Sequence, residues 1–387
     1  MTAASSAHAR ADACPGALQT HAAADGALAR VRVPGGLLTP ARLRVLGNAA
    51  RELGDGALEL TSRGNLQLRG LASGAEAELG ARLGAAGLLP SETHERVRNV
   101  LASTLSGRAG GHVDVRPWVR AFDAQLCADP ALADLPGRFL ATLDDGRGDV
   151  AGLGGDVGLL ALDAGTVALQ LAGADSGLRA APRDAVHLLL AATRGFLDER
   201  AAQGGTAWRL SELEDGAARV ARRLAAWRSG HFRTPVTVAG EPSTGVAGPL
   251  AQDDGRTALV AVVPLGRLSA TQAQLLADTA TTELQLTPWR SVVVPDLPDP
   301  SAADALTAAG LVLDPGSPWL AVTTCAGLPG CAKSHADVRA DAAAAVAAGT
   351  LPAGGARQHW AGCERRCGRP RGEVVDVLAT VAGYRIG

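Results

Sequence analysis

An internal repeat constrains the fold of this chain more than any other feature of its sequence. Residues 31–71 and 260–297 each contain a short apolar strand ending in proline, a glycine-containing turn, an amphipathic helix and a second strand. The second strand is centred on Thr-x-Arg in the first copy and on Thr-x-x-Arg in the second, which makes Arg290 the expected counterpart of Arg63. A duplicated strand–helix–strand unit predicts a pair of split βαβ, or ferredoxin-like, modules.

Helix-start signals support this repeat. Thr39 followed by Pro40 is a typical N-cap with proline at the first helical position, and Ser269 occupies the same place in the second copy. Apolar residues at helical spacing follow each cap and mark the face that should be buried. In the first copy they are Leu43, Leu46, Ala50 and Leu53, and in the second Leu275, Leu276 and Ala280.

A longer α/β stretch follows each repeat, so the predicted fold class is α+β. We expect a pseudo-twofold duplication of a ferredoxin-like half-domain, together with an α/β domain of nitrite/sulfite-reductase type that carries a cluster. The expected boundaries are 22–90 and 257–314 for the two half-domains, 91–235 for the first α/β domain and 315–387 for the cysteine-containing α/β domain. A linker rich in Pro, Gly and Ser is expected at 236–256.

Composition excludes several classes of function. The net charge of -2 gives no basic footprint for nucleic acid, and no run of about 18 uncharged apolar residues exists to span a membrane. The N-terminus lacks the apolar core of a secretory signal, so a cytoplasmic location is expected. Of the 37 lysines and arginines only Lys333 is a lysine. Codon bias explains that excess, and a polyanion site must be argued position by position.

Four of the six cysteines lie close together near the end of the chain. Cys325 and Cys331 have five residues between them, and Cys363 and Cys367 form a second pair with three residues between them. Four thiolates brought to one point are what an iron–sulfur cluster needs. A structural zinc site is the competing interpretation, although its pairs usually have two to four intervening residues, and unliganded thiols are a third. Cys14 and Cys127 are expected to be plain thiols.

The motifs together resemble those of the sulfite and nitrite reductase superfamily. The resemblance is carried by RVRVPGG, TSRGNLQLRG, RNVLAS, LPGRF, TPWRS and both cysteine pairs, and so covers nearly the whole chain. Within that superfamily the opening CPGALQTHAAADGALARVRVPGG and the segment GCERRCGRP look like those of precorrin-3B synthases. The residues between the last two cysteines, 364–366, depart from the filler that is usual in sirohaem reductases.

This resemblance implies a monooxygenase of aerobic cobalamin biosynthesis. Such an enzyme hydroxylates precorrin-3A with O2 and closes a lactone from a neighbouring acetate, using electrons from a separate NADH-linked donor. The implied cofactors are a 4Fe-4S cluster and a mononuclear non-haem iron, whose ligands the sequence does not identify. Sirohaem is implied only if the chain is a reductase. No catalytic residue can be assigned from the sequence.

Strand periodicity indicates where a polycarboxylate tetrapyrrole would bind. Arg30 and Arg32 should share one face of the first strand, while Leu66 and Leu68 should point from the next strand into the core. The opposite face of that next strand would carry a polar series, which is costly to bury unless a ligand satisfies it. This series consists of Arg63, Asn65, Gln67 and Arg69.

The family pattern assigns binding roles to part of this set. Arg32, Arg63, Arg98 and Arg138 match basic positions that contact the macrocycle carboxylates or the oxyanion substrate, and Gln67, Arg69 and Asn99 sit beside them. The alternative is that some of these arginines form exposed ion pairs of little energetic value.

One departure bears on the choice of enzyme. In sulfite reductases the segment resembling LPGRFL has two lysines that hold the small anion, and here the matching positions are Arg138 and Leu140. This difference favours the tetrapyrrole oxygenase over a sirohaem-dependent nitrite or sulfite reductase. A non-catalytic iron–sulfur electron carrier is a third alternative, which the duplicated modules make less favourable.

Overall fold

The computed structural model describes residues 14–224, 231–236 and 246–387. In the first repeat and the α/β region after it, the elements are β1 (His21–Ala23), β2 (Gly26–Val31), β3 (Leu37–Leu38), α1 (Pro40–Leu53), β4 (Ala57–Leu60), β5 (Leu66–Leu71), α2 (Ala75–Ala85), β6 (Val100–Ala102), α3 (Arg116–Ala128), β7 (Ala141–Asp144), β8 (Val157–Ala161), β9 (Val167–Leu171), β10 (Ala174–Ala180), α4 (Ala185–Ala202), α5 (Gly216–Arg223) and β11 (His231–Phe232).

In the second repeat and the cysteine-containing region, the elements are β12 (Gly248–Ala251), β13 (Thr257–Val262), β14 (Arg267–Ser269), α6 (Ala270–Thr279), β15 (Leu284–Leu286), β16 (Ser291–Leu297), α7 (Ala303–Ala308), β17 (Val322–Thr324), α8 (Val338–Ala348), β18 (Gln358–Ala361), β19 (Val375–Thr380) and β20 (Gly383–Ile386). Within the described ranges, no helix is both long enough and apolar enough to cross a membrane.

The chain forms two compact units. The first contains residues 1–16, 32–37 and 87–243, and the second contains residues 17–31, 38–86 and 244–387. Both ferredoxin-like halves and the cysteine-containing domain therefore belong to the second unit.

The duplication is confirmed by two matching five-stranded sheets. Their strand orders are β1-β2-β5-β4-β14 and β12-β13-β16-β15-β3, so the short strand after each Pro-Gly turn joins the sheet of the other half. Helices α1 and α6 pack together where Gly47 faces Ala273, and a Cβ on that glycine would lie 3.3 Å from the alanine Cβ. The two repeats are thus built into each other around a pseudo-twofold axis.

Both predicted helix caps are present. The Thr39 hydroxyl accepts a hydrogen bond from Arg42 N at 3.3 Å, and Ser269 forms a complete capping box with Gln272. On α1, Leu43, Leu46 and Ala50 are buried as predicted, whereas Leu53 at the end of the helix is only half-buried.

The first unit contains a six-stranded sheet of order β11-β10-β9-β8-β7-β6. Its strands β6, β7 and β8 run parallel, and β8 and β9 form an antiparallel hairpin. Alternate residues of these strands pack against α3 and α4, with Phe122, Phe139 and Phe196 among the largest fully buried side chains. This apolar layer accounts for the core of the unit.

The cysteine-containing region adds a four-stranded sheet of order β17-β18-β19-β20. Helix α8 packs on it through Val338 and Ala342, against Val322 and Trp360 of the strands. The helix begins at Val338, because Asp337 caps it by accepting from Ala340 N at 3.1 Å.

One predicted boundary differs from the structure. The expected linker at 236–256 contains β12, which pairs antiparallel with β13 through four residue pairs. The second half-domain therefore starts before residue 257, because its edge strand is short and carries the Gly and Pro residues that suggested a linker. Residues 237–245 of that linker lie outside the described part of the chain.

Candidate functional site

The two cysteine pairs begin at the ends of neighbouring parallel strands. Cys325 directly follows β17, and Cys363 comes two residues after β18. Cys325 N continues the ladder by donating to Trp360 O at 3.0 Å, and Gly362 N donates to Cys325 Sγ at 3.1 Å. Because carboxyl ends of parallel strands meet at one edge of a sheet, the strand pairing brings the two cysteine loops together.

Glycines allow these loops to approach closely. A Cβ on Gly362 would lie 1.9 Å from Ser334 Oγ, and one on Gly327 would lie 2.8 Å from Val338 Cγ2. Gly327 also has a φ of +67°, in the left-handed region that favours glycine. These contacts require glycine at both positions if the cysteine loops are to keep this conformation.

The four cysteines fit an iron–sulfur cluster better than a single metal ion. Burial raises the pKa of the Cys367 thiol, Arg365 lowers it, and the nearby sulfurs of Cys325, Cys363 and Cys331 raise it further. A cluster would relieve the repulsion between these thiolates by supplying positive charge. Two sulfurs on one zinc ion lie at most about 4.6 Å apart. Among the described residues, no three of the four sulfurs come within 4.8 Å of one another, which does not fit a tetrahedral zinc site.

Across the described ranges, one group does bring three possible metal-ligand atoms within 4.8 Å of one another, and it lies in the first unit. It consists of Asp144, Asp145 and Asp149, in the loop after β7. The Asp144 carboxylate already accepts four backbone N–H groups, and Asp145 pairs with Arg147. The Asp149 carboxylate accepts from Ser103 Oγ and Thr104 N, so all three carboxylates already have partners within the unit.

A cavity of about 310 Å³ opens beside the cysteines within the second unit. Its volume is at the lower end of the range for small-molecule sites. Cys325 and Cys367 line one side, and Leu28, Leu60 and Leu265 supply apolar surface. We call it the cysteine cavity. Its charged lining residues are four arginines and one glutamate, namely Arg30, Arg69, Arg290, Arg339 and Glu59, so it suits an anionic ligand.

Glu59 organises much of this charge. The side chain is buried, and its carboxylate forms an ion pair with Arg339 and lies 3.9 Å from Arg69 Nε. Gln67 donates to Glu59 Oε2 at 3.2 Å, and its own Oε1 accepts from Arg30 Nε at 3.0 Å. This network fixes the orientation of three cavity arginines, of which Arg30 and Arg69 lie on strands and Arg339 lies on helix α8.

The predicted residues of the second unit divide into two groups. Gln67 and Arg69 line the cysteine cavity as neighbours on one face of β5. Arg69 also forms two hydrogen bonds to Asp25 and donates to Gly330 O at 2.6 Å, which ties the first cysteine loop to the first half-domain. Arg63 precedes β5 in a turn and does not share that strand face, so this part of the strand prediction is wrong.

The turn that contains Arg63 explains the difference. Thr61 N donates to Asn65 O at 3.0 Å and Gly64 N donates to Thr61 O at 3.1 Å, which closes a tight turn before the strand. Gly64 has a φ of +62° at its centre. The apparent alternation of polar residues therefore runs through a turn and only then into a strand.

The second repeat has the same turn, and it corrects the expected equivalence. Thr287 N donates to Ser291 O at 3.0 Å and Arg290 N donates to Thr287 O at 3.2 Å. Arg290 has a φ of +60° and so corresponds to Gly64, not to Arg63. Matching Arg63 with Arg290 is therefore wrong by one residue, because it compares residue types and not positions in the turn.

The other predicted binding residues lie in the first unit. Arg98 is buried and forms two hydrogen bonds of 2.7 Å to the carboxylate of Asp123, while Arg32 donates to Arg96 O at 3.0 Å. The Asn99 side chain donates to Gly137 O at 2.9 Å. Arg138 is exposed, with its guanidinium 4.6 Å from the centre of the Trp208 ring. No comparison tests the binding roles of these residues, which stay predictions.

Three residues of the cavity were missed by sequence reasoning. Glu59 carried a signal, since it is a lone acidic residue inside the apolar strand β4. Arg339 carried none, because its sequence neighbours on α8 look like an ordinary exposed helix face. Arg290 was noticed only as a repeat position, without its place in the cavity.

Comparison with known proteins matches this architecture twice. The family model described as the nitrite/sulfite reductase ferredoxin-like half domain matches residues 21–86 and again residues 249–309. Both segments thus belong to this half-domain family. The two matched segments are the two halves that the internal repeat predicted.

Relatives that match most of this chain carry two different names. The chain is 27% identical to a precorrin-3B synthase of Sinorhizobium sp, over 97% of this chain and 82% of that protein. It is also 27% identical to a ferredoxin–nitrite reductase of Synechococcus elongatus, over 90% of this chain and 75% of that protein. Among solved structures, the Mycobacterium tuberculosis NirA protein shares the fold, with a TM-score of 0.72 at 24% identity over 89% of this chain and 69% of that one. The named relatives are oxidoreductases of one superfamily.

Proposed function

We propose that this protein is a precorrin-3B synthase, which hydroxylates precorrin-3A with O2 and forms a lactone in aerobic cobalamin biosynthesis. The observation that carries the proposal is the cysteine cavity, where four arginines and one glutamate surround an apolar floor beside Cys325 and Cys367. A tetrapyrrole with several carboxylates needs converging guanidinium groups over apolar surface. The similarity to a precorrin-3B synthase over 97% of this chain supports the same assignment.

In this proposal the four cysteines hold a 4Fe-4S cluster, which supplies electrons one at a time from a separate NADH-linked donor. The reaction consumes one O2 and two electrons, with one oxygen atom entering the product and the other leaving as water. A mononuclear iron completes the proposed cofactor set, and its ligands stay unassigned.

The residues of the cavity have separate roles in binding. Arg30 and Arg339 are oriented through Gln67 and Glu59 and hold carboxylates at the cavity wall. Leu28 and Leu60 pack against the apolar ring and exclude water. Arg69 is already paired with Asp25 and acts by positioning the loop that ends in Cys331.

The decisive experiment gives the anaerobically reconstituted protein precorrin-3A, a reductant and isotopically labelled O2. We expect a hydroxylated lactone that carries one labelled oxygen atom, detected by mass spectrometry. Arg30→Gln should raise the KM for precorrin-3A by about 10-fold or more, because a charge-assisted contact is lost. A product without labelled oxygen would refute the proposal.

A sirohaem-dependent nitrite or sulfite reductase is the second candidate, favoured by the equal identity to the Synechococcus ferredoxin–nitrite reductase. Against it, one of the two positions expected to hold the small anion is the exposed Arg138, stacked on Trp208, and the other is the buried Leu140. Acid extraction and a visible spectrum of the isolated protein separate the candidates. Bound sirohaem together with brisk nitrite reduction would establish the reductase.

A further inference from the structure

A second cavity of about 110 Å³ lies beside the cysteine cavity, within the same unit. Its wall carries two indoles, Trp289 and Trp319, with Leu320 as further apolar surface and Arg290 and Arg357 as cations. We call it the tryptophan pocket. Its lining contains none of the residues predicted to bind the cluster or a tetrapyrrole.

Four residues line both the tryptophan pocket and the cysteine cavity, namely Ser62, Leu265, Arg290 and Gly368. Leu265 and Arg290 line both cavities and so form part of the wall between them. Both have left-handed backbones, with φ of +56° and +60°. The first repeat has glycine at both equivalent positions, Gly35 and Gly64, with φ of +64° and +62°. Non-glycine residues in this region cost about 1–3 kcal/mol each, and such strain concentrates at ligand sites.

Among the described residues, neither cation of the tryptophan pocket forms an ion pair with a carboxylate. Burial lowers the pKa of the Arg290 guanidinium, Glu59 raises it and Arg339 lowers it. Over the described part of the chain, the Arg290 guanidinium has one hydrogen bond, from its NH2 group to Gly368 O at 3.4 Å, and no ion pair with a carboxylate. The Arg357 guanidinium likewise has no ion pair or hydrogen bond to a described residue. A guanidinium that has no ion-pair partner is stabilised by an anion that enters the pocket.

We propose that the tryptophan pocket binds a carboxylate attached to an apolar group. Arg290 and Arg357 would hold the carboxylate, while Trp289 and Trp319 would pack against the apolar part. An organic carboxylate suits the site better than inorganic phosphate, because phosphate has no apolar part to contact the two indoles. Its source is either a carboxylate arm of a tetrapyrrole in the cysteine cavity or a separate small organic acid. Only the first source rests on the proposed function.

Tryptophan fluorescence of the full chain tests this proposal directly. Titration with benzoate should give a saturable change, and benzamide at the same ionic strength should give none, because it has the shape of benzoate without its charge. Arg357→Gln and Arg290→Gln should each weaken benzoate binding by about 10-fold or more. Trp319→Phe should reduce the signal. Arg183→Gln is the control, since that side chain is 84% exposed and should leave binding unchanged.

Two results would overturn the proposal. One is equal binding of benzoate and benzamide, which would make the pocket merely apolar. The other is full benzoate affinity in Arg357→Gln. Circular dichroism and the conservative variant Arg357→Lys would confirm that the substituted proteins fold.

Competition identifies the source of the carboxylate. If a tetrapyrrole arm occupies the pocket, uroporphyrin should displace radiolabelled benzoate, and Arg357→Gln should weaken uroporphyrin binding. If the ligand is a free acid, both probes should bind together. Benzoate binding needs neither O2 nor turnover, so failure of the labelled-oxygen experiment would leave this proposal standing, and the absence of benzoate binding would leave the proposed reaction untouched.

Discussion

Cys325, Cys331, Cys363 and Cys367 share an environment that Cys14 and Cys127 do not. The sulfurs of the first four interact electrostatically at the ends of two parallel strands, while Cys127 lies on α3 near Arg98. All six residues are cysteines, so the two groups differ only in where the backbone places their side chains. This contrast provides matched substitutions.

We predict that Cys363→Ser removes or destabilises the cluster, because a hydroxyl is a poor ligand for an iron–sulfide core. Cys325→Ser should do the same and should also lose the sulfur that accepts from Gly362 N. Iron and acid-labile sulfide analysis is the measurement. Cys14→Ser and Cys127→Ser should keep full cluster content. A full complement of iron and sulfide in Cys363→Ser would show that the ligand assignment is wrong.

Arg98 is expected to act mainly through stability. Its side chain is 5% exposed, and the ion pair with Asp123 has an N–O distance of 2.7 Å. Removing one partner of such a pair leaves an uncompensated charge and costs about 3–5 kcal/mol. Arg98→Ala should lower the free energy of unfolding by that amount in urea denaturation.

Arg138→Ala is the control for this measurement. Arg138 is exposed and stacks on Trp208, so its removal should cost about 0.5–1 kcal/mol. If Arg98→Ala cost no more than Arg138→Ala, the structural role given to Arg98 would be incorrect.

Residue types at the site were predictable, but their partners were not. The sequence indicated the cysteine set and the polar face that carries Gln67 and Arg69. It could not indicate that Asp123, which lies 25 residues after Arg98, would pair with it. Whether an arginine meets an acidic side chain or an open cavity depends on the packing of distant elements, which leaves no local signal.

At the level of elements, the two Thr-initiated turns form a natural experiment. They have the same hydrogen bonds, with Gly64 at the left-handed position of one and Arg290 at that of the other. Gly64→Ala should lower the free energy of unfolding by about 1–2 kcal/mol, the cost of a side chain in that conformation.

The reciprocal change, Arg290→Gly, should alter the free energy of unfolding by less than about 0.5 kcal/mol. Relief of strain and loss of a desolvated charge favour the folded state, while the greater freedom of glycine favours the unfolded chain. Chemical denaturation of both variants is the check. A loss of more than about 1 kcal/mol in Arg290→Gly would mean that Arg290 is retained for stability and not for binding.

Local signals predicted these elements well, and long-range pairing escaped them. The caps at Thr39 and Ser269 and the hairpin β8–β9 follow from side-chain chemistry and alternation. The exchange of β3 and β14 between the two half-domain sheets does not, because strands of two and three residues have almost no periodicity of their own. The sheet-pairing partner of such a strand is determined by the assembled fold.

For the molecule as a whole, the order of modules was predictable and their grouping was not. The repeat predicted two half-domains, each followed by an α/β region. In the structure, both halves and the cysteine-containing domain form one unit, and residues 32–37 cluster instead with the α/β domain of the other unit. The sequence does not show that so short a segment leaves its own module, because its composition does not differ from that of the strands beside it.

The pH dependence of stability should reveal Asp149 of the first unit. Burial raises the pKa of its carboxyl to about 6, and Asp144 adds to that effect. Since the pKa in the unfolded chain is about 3.9, the folded state binds more protons between these values, so this group's contribution to stability is present below about pH 4 and is lost as the pH rises through 6. A shift of about two units corresponds to at most about 3 kcal/mol.

The measurement is the free energy of unfolding of the wild type minus that of Asp149→Asn, determined between pH 4 and 7. This difference should fall as the pH rises, because only the wild type has the titrating group. Asp163→Asn is the control, since the hydrogen bond from Gly165 N lowers the pKa of the exposed Asp163 and stability from it is lost only as the pH falls toward 4 and below; its difference should therefore stay nearly flat between pH 5 and 7. A difference for Asp149→Asn that stays flat from pH 4 to 7 would show that Asp149 is ionised in the folded protein throughout this range, despite its burial beside Asp144.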